Sequence, residues 1–356
     1  MPTVSIKKVA DKCGVSVSTV SRAMNNRSEV SPETRERILS VADELGYVPN
    51  ANARGLKISD LQTVSVVIQG RTSELLIEIL GHLQKSLSTL GLDVFLQHVP
   101  DEEVSLQTLT QMITERRPAG VVFLGRFGAT DSGSGDEINR AIEDFKVPVI
   151  FCTATPAAGP KSRHSAISVD DLSGIKTLTN LLIDRGHTRI AFGVAQKGVA
   201  LEGQDIWATR FRGYREALEE AGLELDPELI IPATDNVDIY SAATGYASVT
   251  NWLESTNPDF TAIVTSCDAV GLGTVRALRD RELRIPEDIE ITAFDGLELS
   301  EYAIPSLTTI VQPLEKIAAA SAEIIFDAVT NPEHTPTWHL VEGAVRLGES
   351  TQGSSR

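Results

Sequence analysis

Over its first 46 positions the chain spaces its apolar residues for helices alone. Ile6, Val9, Ala10 and Cys13 follow the i, i+3, i+4, i+7 rhythm of a helix that buries one stripe. Gly14 supplies a turn, and Ser16 is placed to cap a second helix whose Val17, Val20, Ala23 and Met24 pack inward. Ser18, Thr19, Ser21, Arg22 and Asn25 are left for the exposed side. Ser31 caps a third helix, with Pro32 in its first turn, Ile38, Val41, Ala42 and Leu45 as its buried stripe and Gly46 at its end. The pattern predicts a three-helix helix-turn-helix unit with one polar face uncovered, a shape suited to a DNA groove.

Tyr47-Val-Pro49-Asn50 then breaks the helix. Asn50 can cap a marginal helix running to Lys57, in which Leu56 is a lone exposed Leu. Gly55 inside it costs about 1 kcal/mol relative to Ala, so the segment is expected to order only on a partner.

From Thr63 onward β-rich runs alternate with amphipathic helices. Residues 64–68, 93–99, 120–125, 147–152, 166–169, 189–194, 262–266, 290–294 and 307–311 read as strands, with helices between them such as 75–90, 174–185, 211–221, 269–281 and 314–329. Regular alternation of this kind means parallel sheets covered by helices on both faces, which bind ligands at the carboxyl ends of their strands. The fold class is therefore a small all-α head plus an α/β body.

Charge sharpens the division. Residues 1–60 hold nine Lys or Arg against seven Asp or Glu, while the remainder holds 23 against 42, so a chain of net charge −17 keeps its small basic excess in the head. No apolar run approaches the roughly 20 residues of a membrane helix, and no signal-peptide pattern precedes the helix-turn-helix, so a cytoplasmic protein without a membrane partner is expected. Cys13, Cys152 and Cys267 are odd in number and widely spaced, which favours reduced structural thiols over disulfides, and no metal site or cofactor is expected.

The runs VADKCGVSVSTVSRAMNN and VSPETRERILSVADELGYVPNANARGLK closely resemble the DNA-binding head and hinge of the lactose-repressor (LacI/GalR) family. The resemblance implies that the second helix enters the major groove of a palindromic double-stranded DNA operator. Val17, Ser18 and Arg22 would face base edges, and Ser5, Ser16, Thr19, Ser21, Asn25 and Tyr47 would contact or position the phosphate backbone. Leu56, on the hinge helix that Asn50 caps, would wedge into the minor groove at the operator centre. Arg22 is the strongest reader, since a guanidinium can meet guanine O6 and N7 together. Gly55 departs from the family's usual helix-favouring residue.

In the body the resemblance is looser and runs through VDDLSG, LLIDRGHTRIAF, TRFRGYREALEEAGL, IPEDIEITAFDGLELS and IPSLTTIVQP. It implies two Rossmann-like subdomains of periplasmic-binding-protein type, with crossovers near Ala166, Gly296 and Asn331 and a small-molecule effector, most often a sugar, between them. The expected organisation is a helix-turn-helix over 1–48, a hinge over 49–61, an N-terminal subdomain of 62–166 and 297–331, and a C-terminal subdomain of 167–296 and 332–350. Residues 351–356 are expected to be a disordered tail. No heptads follow Val341, so no tetramerising coiled coil is expected and a homodimer is.

Position by position, the resemblance puts Arg210, three residues before Gly213, in the effector pocket, and Asp295 beside it as an acceptor for hydroxyls. Tyr240 falls where relatives place an aromatic against the ligand. Asp268 lies in SCDAVGLG, where Cys267 and Gly271 replace the family's Asn and Ala. Gln69, Arg71 and Ser73 stand in register with a family segment whose usual residues are all absent, and the lost aromatics leave Trp207 as a stacking substitute, an interface residue or core. Catalytic signatures such as GxSxG, a Walker A loop or GxGxxG after a strand are missing, and the six His are scattered. The expectation is an allosteric, ligand-responsive repressor and not an enzyme.

Overall fold

The computed structural model describes residues 6–24, 30–45, 63–70, 72–100, 105–125, 140–153, 162–195, 206–234, 239–256 and 259–351. The chain divides into two compact units, Met1–Leu61 and Gln62–Arg356.

The first unit contains α1 (Ile6–Cys13), α2 (Val17–Met24) and α3 (Pro32–Glu44). Val9, Ala10, Val20, Ala23, Ile38 and Ala42 close a small core, joined by Val30 from the loop before α3. With so little to bury, helix ends matter. Ser16 Oγ accepts from Thr19 N at 3.1 Å and Ser31 Oγ from Thr34 N at 3.3 Å, caps of the kind that contribute about 1 kcal/mol each. Gly14 takes φ 64° to make the α1–α2 turn, and Arg35 Nε donates to the Ala23 carbonyl at 3.2 Å, satisfying the end of α2. One expectation fails: Val17 does not pack inward but is 43% exposed, because it opens the helix and the inward positions of so short a segment are taken by Val20 and Ala23. Gly46 and the hinge lie outside the described residues.

The second unit is built on two six-stranded sheets. The first holds β1 (Thr63–Gln69), β2 (Asp93–Val99), β3 (Gly120–Leu124), β4 (Val149–Cys152), β5 (Ser165–Val169) and β11 (Trp338–Val341), in the order β11-β5-β4-β3-β1-β2 and parallel throughout. The second holds β6 (Ile190–Ala195), β7 (Ile230–Pro232), β8 (Ala262–Thr265), β9 (Glu290–Asp295), β10 (Thr308–Val311) and β12 (Ala344–Arg346), in the order β12-β10-β9-β8-β6-β7. Only the β10–β12 pair is antiparallel. Every residue of β3, β5 and β9 is buried, which is why these strands appear in the sequence as runs of apolar and small residues without alternation. Helices α4 (Glu74–Thr89), α5 (Leu106–Arg116), α6 (Asp171–Asp184), α7 (Ile206–Glu220), α8 (Ala242–Thr256), α9 (Asp268–Arg279) and α11 (Leu314–Thr330) cover the sheets, and α10 (Glu298–Tyr302) is a short addition after β9. No described helix is long and apolar enough to cross a membrane.

The chain passes between the sheets after β5, between β10 and β11, and between β11 and β12. The first passage follows Val169; the other two differ from the positions expected near Gly296 and Asn331. The strand of residues 308–311 pairs with β9 and so belongs to the second sheet, moving that crossover from Gly296 to just before α11. Likewise β11 adds to β5, moving the last crossover from Asn331 to the two residues before β12. The expected tail is also shorter, since Thr351 is buried with its hydroxyl 2.8 Å from that of Thr308; residues 352–356 lie outside the described residues.

Helices α8 and α9 pack closely enough that side chains at their crossing are excluded. A Cβ on Gly273 would collide with the Ala242 carbonyl and the Tyr246 amide, and one on Gly245 with the backbone of Val270. Backbone cannot retreat as a side-chain tip can. Gly273→Ala should therefore destabilise the protein by about 1–3 kcal/mol despite improving helix propensity, as read by urea unfolding; unchanged stability would mean the helices separate freely.

Candidate nucleic-acid interface and ligand cleft

Among the described residues of the head, α2 carries an exposed polar face. Val17, Ser18 and Arg22 are exposed there, and Thr19 and Ser21 are half-buried beside them. Ser16 Oγ lies 2.7 Å from Ser18 Oγ and 2.8 Å from Thr19 Oγ1, so three hydroxyls gather at the positive end of the helix. Hydroxyls and backbone amides in that position suit a phosphate oxygen. No acidic residue stands in the first turn of α2 to oppose it. Ser5, Asn25, Tyr47, Asn50 and Leu56 lie outside the described residues.

In the body, the polar chemistry collects at the carboxyl ends of the second sheet. Arg210, on α7, is 4% exposed, and three N–H groups of its guanidinium find acceptors. Nε donates to Asp171 Oδ1 at 2.7 Å, Nη1 donates to the Ser266 carbonyl, and Nη2 reaches Asp295 Oδ1 at 3.5 Å. The guanidinium also lies flat on Phe294, with its carbon 4.0 Å from the ring centroid. Burial opposes the charge of Arg210, but Asp171 and Asp295 outweigh it and hold the group protonated. Asp295 accepts a second bond from Gln312 Nε2 at 2.8 Å. Burial, only partly countered by Arg210, pushes its carboxyl up to about 7. Its φ of 122° and the φ of 59° at Thr153, which follows β4, are conformations that L residues seldom adopt. Such strain concentrates at ligand clamps.

Several buried polar atoms at these strand ends lack a hydrogen-bond partner: Thr153 Oγ1 after β4, Ser266 Oγ after β8 and Gln312 Oε1 after β10. Tyr240, half-buried, is near enough to act electrostatically on Arg210. Gln69 is buried at the end of β1, and Ser73 caps α4 by accepting from Leu76 N at 3.3 Å. Both stand at the carboxyl end of the first sheet. Arg71 lies outside the described residues.

Two expected cleft residues belong elsewhere. Asp268 is 0% exposed and fully used: Oδ2 accepts from Leu297 N at 2.7 Å and Ser300 Oγ at 2.6 Å, and Oδ1 from Thr309 Oγ1 at 2.5 Å. It fastens α10 and β10 to the start of α9 instead of meeting a ligand. Trp207 is 2% exposed, donates Nε1–H to the Val194 carbonyl at 2.8 Å and stacks on Phe211 with centroids 5.3 Å apart, which makes it core. Conversely, Asp171, Ser266 and Gln312 were not anticipated as members of the group. Their signal was present: each is a polar residue just past the end of a strand, where doubly wound sheets hold ligands.

Residues 5–50 match the pattern of bacterial regulatory proteins of the lacI family, and residues 179–351 that of the periplasmic binding protein-like domain. The HTH-type transcriptional regulator MalR of Clostridium butyricum is 32% identical over 329 residues, spanning 92% of this chain and 93% of its own. CelR of Thermobifida fusca is 29% identical over 355 residues, 97% and 98% of the two chains. Among solved structures, the transcriptional regulator CelR–cellobiose complex aligns over 98% of this chain and 99% of its own with a TM-score of 0.68 at 26% identity. The lac repressor dimer bound to operator and the anti-inducer ONPF shares the fold, with a TM-score of 0.80 at 22% identity over 99% and 100%. The head and the body thus both match this family, and the chain belongs to the LacI family of ligand-responsive, DNA-binding transcriptional regulators.

Proposed function

We propose that this regulator is a repressor that binds a palindromic operator as a homodimer in the cytoplasm and is controlled by a sugar or sugar derivative at the Arg210 group. The observation that carries the reading is the cluster of Arg210, Asp171 and Asp295 with unpartnered Ser266 Oγ and Gln312 Oε1 on residues bonded to it. Buried polar atoms without partners cost about 1–3 kcal/mol each, and a ligand rich in hydroxyls offsets that cost on binding. The cellobiose held by CelR is a ligand of this kind. Arg210, Asp295 and Tyr240 hold the ligand from one subdomain, and Gln69, Arg71 and Ser73 face it from the other.

On the DNA side, Arg22 reads a guanine while Val17 and Ser18 touch neighbouring base edges. Ser5, Ser16, Thr19, Ser21, Asn25 and Tyr47 set the head on the phosphates, and Leu56, on a hinge helix begun by Asn50, deforms the operator centre. Dimerisation draws support from exposed apolar side chains on adjoining segments. Leu299, Tyr302 and Ile304 stand out around α10, and Val345 on β12 and Leu347 just after it flank Arg346, which donates to Ser300 Oγ at 2.7 Å. A patch of this sort seeks a partner, and a second copy related by two-fold symmetry supplies it. A regulator's role, as opposed to an enzyme's, is supported by the relatives, which are transcriptional regulators.

Three measurements test this. Arg22→Ala should reduce discrimination between operator and random DNA by about 1–3 kcal/mol, read by fluorescence anisotropy; undiminished discrimination removes the residue's assigned role. Arg210→Lys keeps the charge but loses the planar fork, so it should retain operator binding while weakening the effector's action by about tenfold or more. A full ligand response in that variant would move the effector site elsewhere. Asp295, with its carboxyl raised to about 7, contributes stability at low pH that is lost as pH climbs from the ordinary 3.8 towards that value. Asp295→Asn should flatten the fall in unfolding free energy across that window, and an unaltered pH profile would show that another group titrates there.

A further inference from the structure

We infer that one water molecule is built into the first sheet beneath α5, where it bridges Ser65 Oγ and Gln97 Oε1 and completes a core that these two side chains would otherwise leave unsatisfied.

The sequence of β1, TVSVVIQ, sets a hydroxyl in the middle of a strand whose every residue after Thr63 is buried. Strand pairing decides what surrounds it. Ser65 is aligned with Phe95 on β2 and Val121 on β3, and Val67 with Gln97 and Phe123. Because side chains alternate along each strand, these six residues share one face of the sheet, with Ser65 and Gln97 as diagonal neighbours on adjacent strands. Leu109 and Met112 of α5 pack over that face. The packing is incomplete: it leaves a cavity of about 10 Å³ to which Ser65 and Gln97 bring the polar side chains, the rest of the lining being apolar and none of it charged.

Ser65 is 2% exposed, and neither its Oγ nor Gln97 Oε1 has a hydrogen-bond partner within the protein. A buried oxygen left dry loses the bonds it would make in water, and here two such oxygens line one cavity. A cavity of this size holds one water, which needs at least two polar partners and finds them in this pair. Water both donates and accepts, so it takes the proton of Ser65, gives one to Gln97 Oε1, and serves the amide in either orientation. An apolar guest would leave both oxygens unpaired, and an ion would meet no opposite charge. The site also has a structural use. Strand β2 stands at the edge of the sheet and pairs with β1 alone, so the water adds a link between side chains to the backbone ladder that holds it.

Thermal unfolding of the full chain tests this through the sign of three substitutions. If the water is present, Ser65→Ala and Gln97→Met each strand the partner that remains and lower the melting temperature by about 2–6 °C. The double variant removes both oxygens and fills the cavity with the Met side chain, so it should melt within about 2 °C of the wild type. A dry cavity gives the opposite sign, since each single substitution then deletes an unpaired polar atom and raises the melting temperature; that result overturns the inference. Losses that simply add in the double variant overturn it too, because they mean the two oxygens have separate partners. A crystal structure of the wild-type chain decides the matter even if the variants fold poorly. It should show one density peak within about 3.2 Å of both oxygens. An empty cavity, or a direct bond from either oxygen to another protein atom, would show that no bridging water exists.

Discussion

A guanidinium cannot be buried without partners, and the second sheet of this protein is arranged around meeting that demand for Arg210. Desolvating one such ion costs several kcal/mol, which only close, well-aligned acceptors recover. The acceptors come from three places in the chain: Asp171 at the start of α6, the Ser266 carbonyl at the end of β8 and Asp295 at the end of β9. Each lies past a strand end, so the ion pair holds together the loops that a ligand must meet. The aromatic wall beneath it, in which Phe294 touches the guanidinium and Phe211 stacks on Trp207, keeps water from screening the charges.

The same loops carry structure outward. Ser266 is followed, two residues later, by Asp268, whose carboxylate fastens Leu297 and Ser300 at α10. Arg346 grips that helix from the other side through the Leu297 carbonyl, Ser300 and Glu301. The apolar side chains of α10 are therefore connected, through short and fully satisfied polar links, to the residue that accepts from Arg210. A rearrangement of the ligand group has a rigid route to the surface on which a second copy is proposed to sit.

Much of this was legible in the chain. The helices of the head and the eight central strands declare themselves because each has one dominant environment, a single buried stripe or burial on both faces, and the edge strand β2 does so by its length of seven residues. Strands β7, β11 and β12 do not, since they are three or four residues long and stand at sheet edges, where burial leaves no pattern. Arg210 and Asp295 were recognisable by position within familiar motifs, whereas the true character of Asp268 was not. A carboxylate in a strand-end motif looks the same in sequence whether its acceptors face a ligand or face Ser300 and Thr309. Trp207 posed the same ambiguity, and only the carbonyl of Val194 opposite its indole N–H resolves it. Val17 misled the periodicity for a simpler reason: in an eight-residue helix the first turn lies partly beyond the core it is meant to cover.

The three passages between the sheets lie side by side. Asp170 N donates to the Val341 carbonyl at 2.9 Å, Gln312 N to the Asp295 carbonyl at 3.1 Å, and Gly343 is so close to Ile310 and Val169 that a side chain would not fit. Parallel cords bound to one another bend together easily but resist twisting and sliding. That arrangement favours rotation of the two halves about the line of the cords over sliding. The action of a ligand that shifts the halves would then be expressed as a single angle.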